Sequence, residues 1–204
     1  MMEKADYKTV SGPSEGVYKE KGSKFIGLLY PLESETEVKK LIEPLRKAHP
    51  GACHFCYAYR LGFAGEQYRA NDDGEPAGTA GKPILNQLLS AELTNVLLVV
   101  VRYFGGTKLG VSGLITAYKE AAIEAVNTAK IELKQVCDWY LIDFSYDQIG
   151  DINRLLKDRS AVLVDKNFDE RCHYRIMVPI DRSAGFPGLF SGVENCVVSH
   201  LKRA

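Results

Sequence analysis

The sequence predicts an α+β protein of two domains, residues 1–130 and 131–204. Three observations lead there. Val96 to Phe104 carries apolar side chains on both faces, the mark of a central strand covered from each side. Leu114, Ile115, Tyr118, Ala122 and Val126 then recur at helical spacing, so a long helix over 113–129 backs the sheet. From about residue 131 the alternation starts again, in the order strand, helix, strand, strand, weak helix, strand.

The first domain opens with a hairpin over 15–32 that turns at Lys21 and Gly22. Ser34 followed by Glu37 fits a capping box for a helix over 34–48, with Val38, Leu41, Ile42 and Leu45 on one face; Pro44 falls inside it as a kink or a sign of different bounds. Residues 53–62 read as an aromatic-rich strand. A loop over 69–83 and a helix over 83–91 follow, then the central strand.

In the second domain, strands are expected at 133–146, 160–168, 172–180 and 193–201, with a helix at 148–159. Asp169 and Glu170 turn the middle hairpin. This βαββ(α)β order fits a ferredoxin-like sandwich. Gly185, Pro187, Gly188 and Gly192 make 182–192 a poor second helix.

Composition narrows the function. With 204 residues and 46% hydrophobic content the chain can bury one large core or two small ones. Lys plus Arg and Asp plus Glu number 26 each, so a nucleic-acid surface has to be a local patch. The run Val96–Val101 is far below the roughly 20 residues a membrane helix needs. The N-terminal stretch has no apolar signal core. A cytoplasmic protein without a membrane partner is expected. Five cysteines, an odd number, fit free thiols in a reducing compartment.

Chemistry-bearing residues cluster in two loops. Asp72, Asp73, Gly74 and Glu75 lead to Thr79, Gly81 and Lys82. The three acids suit a magnesium ion or an acidic solvated turn; they need a nearby cation, and Lys82 or Arg102 serves as readily as a metal. Gly105, Gly106, Lys108, Gly110, Ser112 and Gly113 open the long helix, where bare amides and the helix dipole attract an anion. The spacing is not that of an ATP-binding loop, which argues against a kinase or ATPase. Lys82, Arg102 and Lys108 with Tyr103 and Phe104 suit single-stranded RNA, or ordinary ion pairs to the acidic loop. Cys53 and Cys56 on a strand point to opposite faces, against a zinc site; His54 and Cys56 share a face as a possible Cys/His pair or as plain core. No metal and no cofactor is expected.

HFCYA at 54–58, DDGEPAGTAGKP at 72–83 and VVRYFGG with KLG at 100–110 together resemble the IMPACT/YigZ family. The resemblance covers nearly the whole first domain. It implies a fold like the second domain of ribosomal protein S5, followed by a ferredoxin-like domain resembling the last domain of elongation factor G. It places the family pattern on His54, Cys56, Asp72, Asp73, Glu75, Thr79, Lys82, Arg102, Gly105, Gly106, Leu109 and Gly110. Ser112 departs from it, standing where bacterial members often carry glycine. Eukaryotic relatives regulate translation by competing for an activator of an initiation-factor kinase; bacterial ones have no established reaction.

The leading expectation is therefore a non-enzymatic, translation-associated protein that binds RNA, the ribosome or a phosphate-bearing ligand. Its phosphate ligands would be Thr79, Lys82, Arg102, Gly105, Gly106, Lys108, Gly110, Ser112 and Gly113. A hydrolase or transferase using Cys56 and His54, or a metal on Asp72, Asp73 and Glu75, is the alternative. A protein-interaction module with a translation-factor partner is the third.

Overall fold

The computed structural model describes residues 5–157 and 161–204. They form two compact units, one of residues 7–134 and one of residues 135–204 with Ala5 and Asp6. The predicted end of a helix at 158–159 and start of a strand at 160 lie outside the described residues.

In the first unit, β1 (Asp6–Val10) pairs with β7 (Ile131–Gln135), and five strands make an antiparallel sheet. These are β2 (Ser14–Glu20), β3 (Ser23–Pro31), β4 (His54–Leu61), β5 (Gln67–Asn71) and β6 (Val96–Tyr103), in the order β2-β3-β6-β4-β5. The central strand is β6, as its doubly apolar pattern requires. Val96, Leu98 and Val100 enter one core with helices α2 (Gly81–Ser90) and α3 (Gly110–Asn127). Leu97, Val99 and Val101 enter the other, under α1 (Glu37–Ala48). Lys21 and Gly22 both have positive φ, 45° and 80°, which is the two-residue turn that matches strand twist.

Glycine sets how closely α3 approaches the sheet. Gly16 and Gly27 are cross-strand partners, and a Cβ on Gly27 would lie 2.3 Å from the Ala121 carbonyl oxygen. Ala117, Ala121 and Ala125 supply the matching small face of the helix.

Several bounds differ from expectation for physical reasons. Helix α1 starts at Glu37, not residue 34, and no capping box forms: the Ser34 hydroxyl pairs with that of Thr36 at 2.8 Å, and the Glu37 carboxylate accepts from the Glu33 amide at 3.0 Å. Pro44 is accommodated inside α1 at an exposed position. Helix α3 begins three residues early, at Gly110, whose φ of 73° turns the chain into it. Strand β5 occupies the start of what reads as a loop. The expected strand 133–146 is two strands, broken at Val136, whose amide donates to the Ala5 carbonyl while its own carbonyl accepts from Ile180.

The second unit has β8 (Cys137–Phe144), α4 (Ile149–Lys157), β9 (Val162–Phe168), β10 (Cys172–Pro179) and β11 (Val197–Arg203). The sheet order β11-β8-β10-β9 with antiparallel neighbours is the ferredoxin-like arrangement. The second helix is reduced to one turn, α5 (Ile180–Ser183), and a 3-10 turn over Pro187–Phe190. Phe186 and Phe190 still fill the core at the helix's place.

Candidate functional site

Strands β4 and β6 bring the motif residues together at one end of the sheet. Arg102 on β6 has Phe25 on one side and His54 on the other as its cross-strand partners. His54 and Cys56 lie on the same sheet face, and α3 lays Tyr118 over it. The 72–81 turn closes the site from the N-terminus of α2.

The three acids of that turn do three different things. Asp72 accepts from the amides of Gly78, Ala80 and Gly81 at 2.8–3.0 Å, so it caps the start of α2. Burial raises its pKa, and those amides together more than offset that, leaving it below the usual carboxylate range. Asp73 accepts from the Phe55 amide and from Arg46, each at 2.7 Å. Glu75 is buried, and its Oε1 accepts from Arg102 at 2.5 Å and from the Tyr118 hydroxyl at 2.7 Å.

The cation the acids need is therefore Arg102 for Glu75 and Arg46 for Asp73. Among the described residues no group of three or more His, Cys, Asp or Glu side chains is placed to hold a metal ion. Arg102 is only 6% exposed and its Cζ lies 5.4 Å and 5.7 Å from the ring centres of Phe25 and Phe104. Thr79 is also buried, its hydroxyl donating to the Pro76 carbonyl at 2.7 Å. Neither Arg102 nor Thr79, both expected to meet phosphate, presents a donor to solvent for it.

Cys56 and His54 do share the site. The Cys56 thiol is fully buried, its Sγ 3.0 Å from the Asp72 carbonyl oxygen and 3.3 Å from the Tyr118 hydroxyl oxygen, the two acceptors within reach of its one S–H. Burial pushes its pKa up, so it stays a thiol at neutral pH, the reverse of an activated nucleophile. The same burial pushes up the Tyr118 hydroxyl. His54 Nδ1 donates to the Asp73 carbonyl at 2.8 Å, and Nε2 stands 3.8 Å from Glu75. Cys53 is exposed and precedes the start of β4, so it is not on the strand.

The second loop is open where the first is closed. Gly105 packs against Gly22, where a Cβ would lie 1.9 Å from the Gly22 carbonyl carbon, and its amide donates to Ser23. Gly106, Lys108, Gly110 and Ser112 are exposed, and Gly113 is partly so. Helix α3 has no side-chain cap and no acid in its first turn. A pocket of about 250 Å³ lies beside that turn, lined by Tyr18, Glu20, Lys21, Ser112, Gly113 and Thr116 among others. Lys82 does not join it; it lines a second pocket, with Ile115 and Lys119.

Sequence reasoning missed Tyr118 as a site residue, since it reads as one more core position of α3. The available signal was a hydroxyl in an otherwise apolar stripe, which when buried needs a partner. Lys21 and Thr116 were missed because nothing local ties a hairpin turn to a helix so much later in the chain. No helix among the described residues is long and apolar enough to cross a membrane.

Residues 21–126 match the family model described as the Impact N-terminal domain, which takes in every residue of both loops. This chain belongs to the IMPACT family. It is 34% identical over 173 residues to the IMPACT family member YvyE of Bacillus subtilis, covering 85% of this chain and 80% of that one. It is 33% identical over 168 residues to the IMPACT family member YigZ of Escherichia coli, covering 81% and 82%. A crystal structure of a hypothetical protein superposes with a TM-score of 0.70 at 28% identity over 98% of both chains. Like this IMPACT-family chain, it carries the α+β architecture through both units.

Proposed function

We propose that the protein is a translation-associated binding protein that takes a phosphate of single-stranded RNA, free or on the ribosome, at the start of α3. The observation that carries this reading is the contrast between two helix starts. That of α2 is filled by the Asp72 carboxylate, whereas that of α3 has neither cap nor acid and opens on a pocket. Amides of Gly110 to Gly113 and the Ser112 hydroxyl would donate to the phosphate. Lys108 and Lys21 supply charge, and Glu20, held by the Tyr18 hydroxyl at 3.2 Å, bounds the pocket. Exposed Phe104 offers a ring for base stacking. The link to translation rests on the resemblance to eukaryotic relatives.

The buried network of Glu75, Arg102, Tyr118 and Cys56 is then the scaffold that fixes the two loops. Cys56 as a protonated, sealed thiol speaks against the hydrolase reading. The test is equilibrium binding of a labelled single-stranded RNA across a salt series, in wild type, Ser112→Glu and Lys21→Glu/Lys108→Glu. Ser112→Glu leaves the helix start well served by a carboxylate and fills the place of the phosphate. Binding that weakens with salt and is lost in both variants supports the reading. Binding unchanged in both, or absent in wild type, overturns it.

A further inference from the structure

Helices α2 and α3 lie side by side on one face of the first sheet, and between them runs a groove of about 310 Å³. Pro83 and Ile115 form its apolar floor, Asn86 and Gln87 one wall, and Lys82 and Lys119 its charged side chains. No carboxylate lines it. Ile115 is 40% exposed, and Val111, one helical turn before it, is 60% exposed. Large apolar side chains on a helix surface beside two lysines do not serve the core, which Ala117, Tyr118 and Ala121 already complete on the buried side of α3.

The charges are unbalanced as well. Lys119 is within 3.8 Å of Glu120, its neighbour in sequence, an exposed contact that leaves the ammonium largely available. The Asp72 carboxylate, near Lys82 in sequence, is already held by the three amides of Gly78, Ala80 and Gly81.

We infer that this groove is a binding site for a small amphipathic anion, an apolar body of about one or two aromatic rings carrying a single carboxylate or sulfonate. The apolar body would lie on Pro83 and Ile115, and the anionic group between Lys82 and Lys119. The volume decides the size. It stands at the low end of the roughly 300–1,000 Å³ of small-molecule sites. A docked helix would instead lay several anchors along i, i+4 and i+7. This site is separate from the phosphate site proposed above, since Ser112, Gly113 and Thr116 line a different pocket on α3.

The experiment titrates the full chain, labelled with nitrogen-15, with 8-anilinonaphthalene-1-sulfonate and with 4-phenylbutyrate, following probe fluorescence and amide shifts. Expected is saturable one-to-one binding that moves the amides of Lys82, Asn86, Ile115 and Lys119. Lys82→Gln/Lys119→Gln should weaken it at least tenfold, and Ile115→Trp, which fills the groove, should abolish it with the spectrum still dispersed. Neutral 4-phenylbutanamide should bind at least tenfold more weakly than the carboxylate. Shifts confined to other residues, equal binding of the neutral amide, or full binding by Ile115→Trp would each overturn the site. The same variants keep the salt-dependent RNA binding of wild type if both proposals hold, so either can fail alone.

Discussion

The Arg102 guanidinium and the Glu75 carboxylate meet at 2.5 Å, with 6% and 8% of the two residues exposed. The pair ties the acidic turn to the central strand, and Tyr118 adds α3 to the same oxygen. Removing one partner strands a charge where water does not reach. Arg102→Met or Glu75→Leu is expected to cost about 3–5 kcal/mol, and the double variant distinctly less than the sum. Urea denaturation of the three variants checks this. Additive losses would show that the two residues are not coupled.

Asp72 holds three amides at the start of α2. Asp72→Ala should lower stability by about 1–2 kcal/mol, and Asp72→Asn by less, since an amide oxygen still caps. Hydrogen exchange at Gly78, Ala80 and Gly81 should speed up in the alanine variant. Unchanged exchange there would mean the cap is dispensable.

Close packing on glycine sets a third expectation. Gly27→Ala would press a methyl group onto the Ala121 carbonyl, backbone that has no rotamer to yield with. A loss of about 1–3 kcal/mol is expected, read as a fall in the thermal midpoint. Gly150→Ala, on α4 with open space around it, is the contrast and should not destabilise.

In the second unit, Asp138 is buried and accepts from Arg203, Ser183 and His200, which joins β11 and α5 to β8. Burial raises its pKa, and Arg203, Ser183 and His200 more than offset that, bringing it down to about 2. A carboxyl with a depressed folded pKa stabilises fully above its unfolded pKa of about 3.9 and loses that as pH falls through the folded value. About 2 kcal/mol should therefore disappear between about pH 4.5 and 2. Thermal melts against pH should show this slope, reduced in Asp138→Asn. An identical slope in the variant would assign the acid sensitivity elsewhere.

The thiols separate by burial. In the native protein at neutral pH an alkylating reagent should label Cys53, which is exposed, and leave Cys56, Cys137 and Cys172 unlabelled until denaturant is added. Peptide mass spectrometry reads the outcome. Rapid labelling of Cys56 would revive a nucleophilic role.

The sequence by itself determined the elements whose residues answer to a local period. The doubly apolar β6, the stripe of α3 and the Lys21–Gly22 turn carry their environment in their own spacing, and so does the glycine-broken stretch where the second ferredoxin-like helix shrinks to turns. The motifs also marked the residues of the candidate site, because residue types that do not serve packing stand out against a core. Only the tertiary structure decided what each polar side chain does. Asp72, Asp73 and Glu75 look alike in a row, yet one caps a helix, one holds a strand edge and one is buried on Arg102. Those roles depend on Phe55, Arg102 and Tyr118, which lie 18 to 43 residues away. Pairing across such distances is set by strand register and helix packing, and no local pattern encodes it.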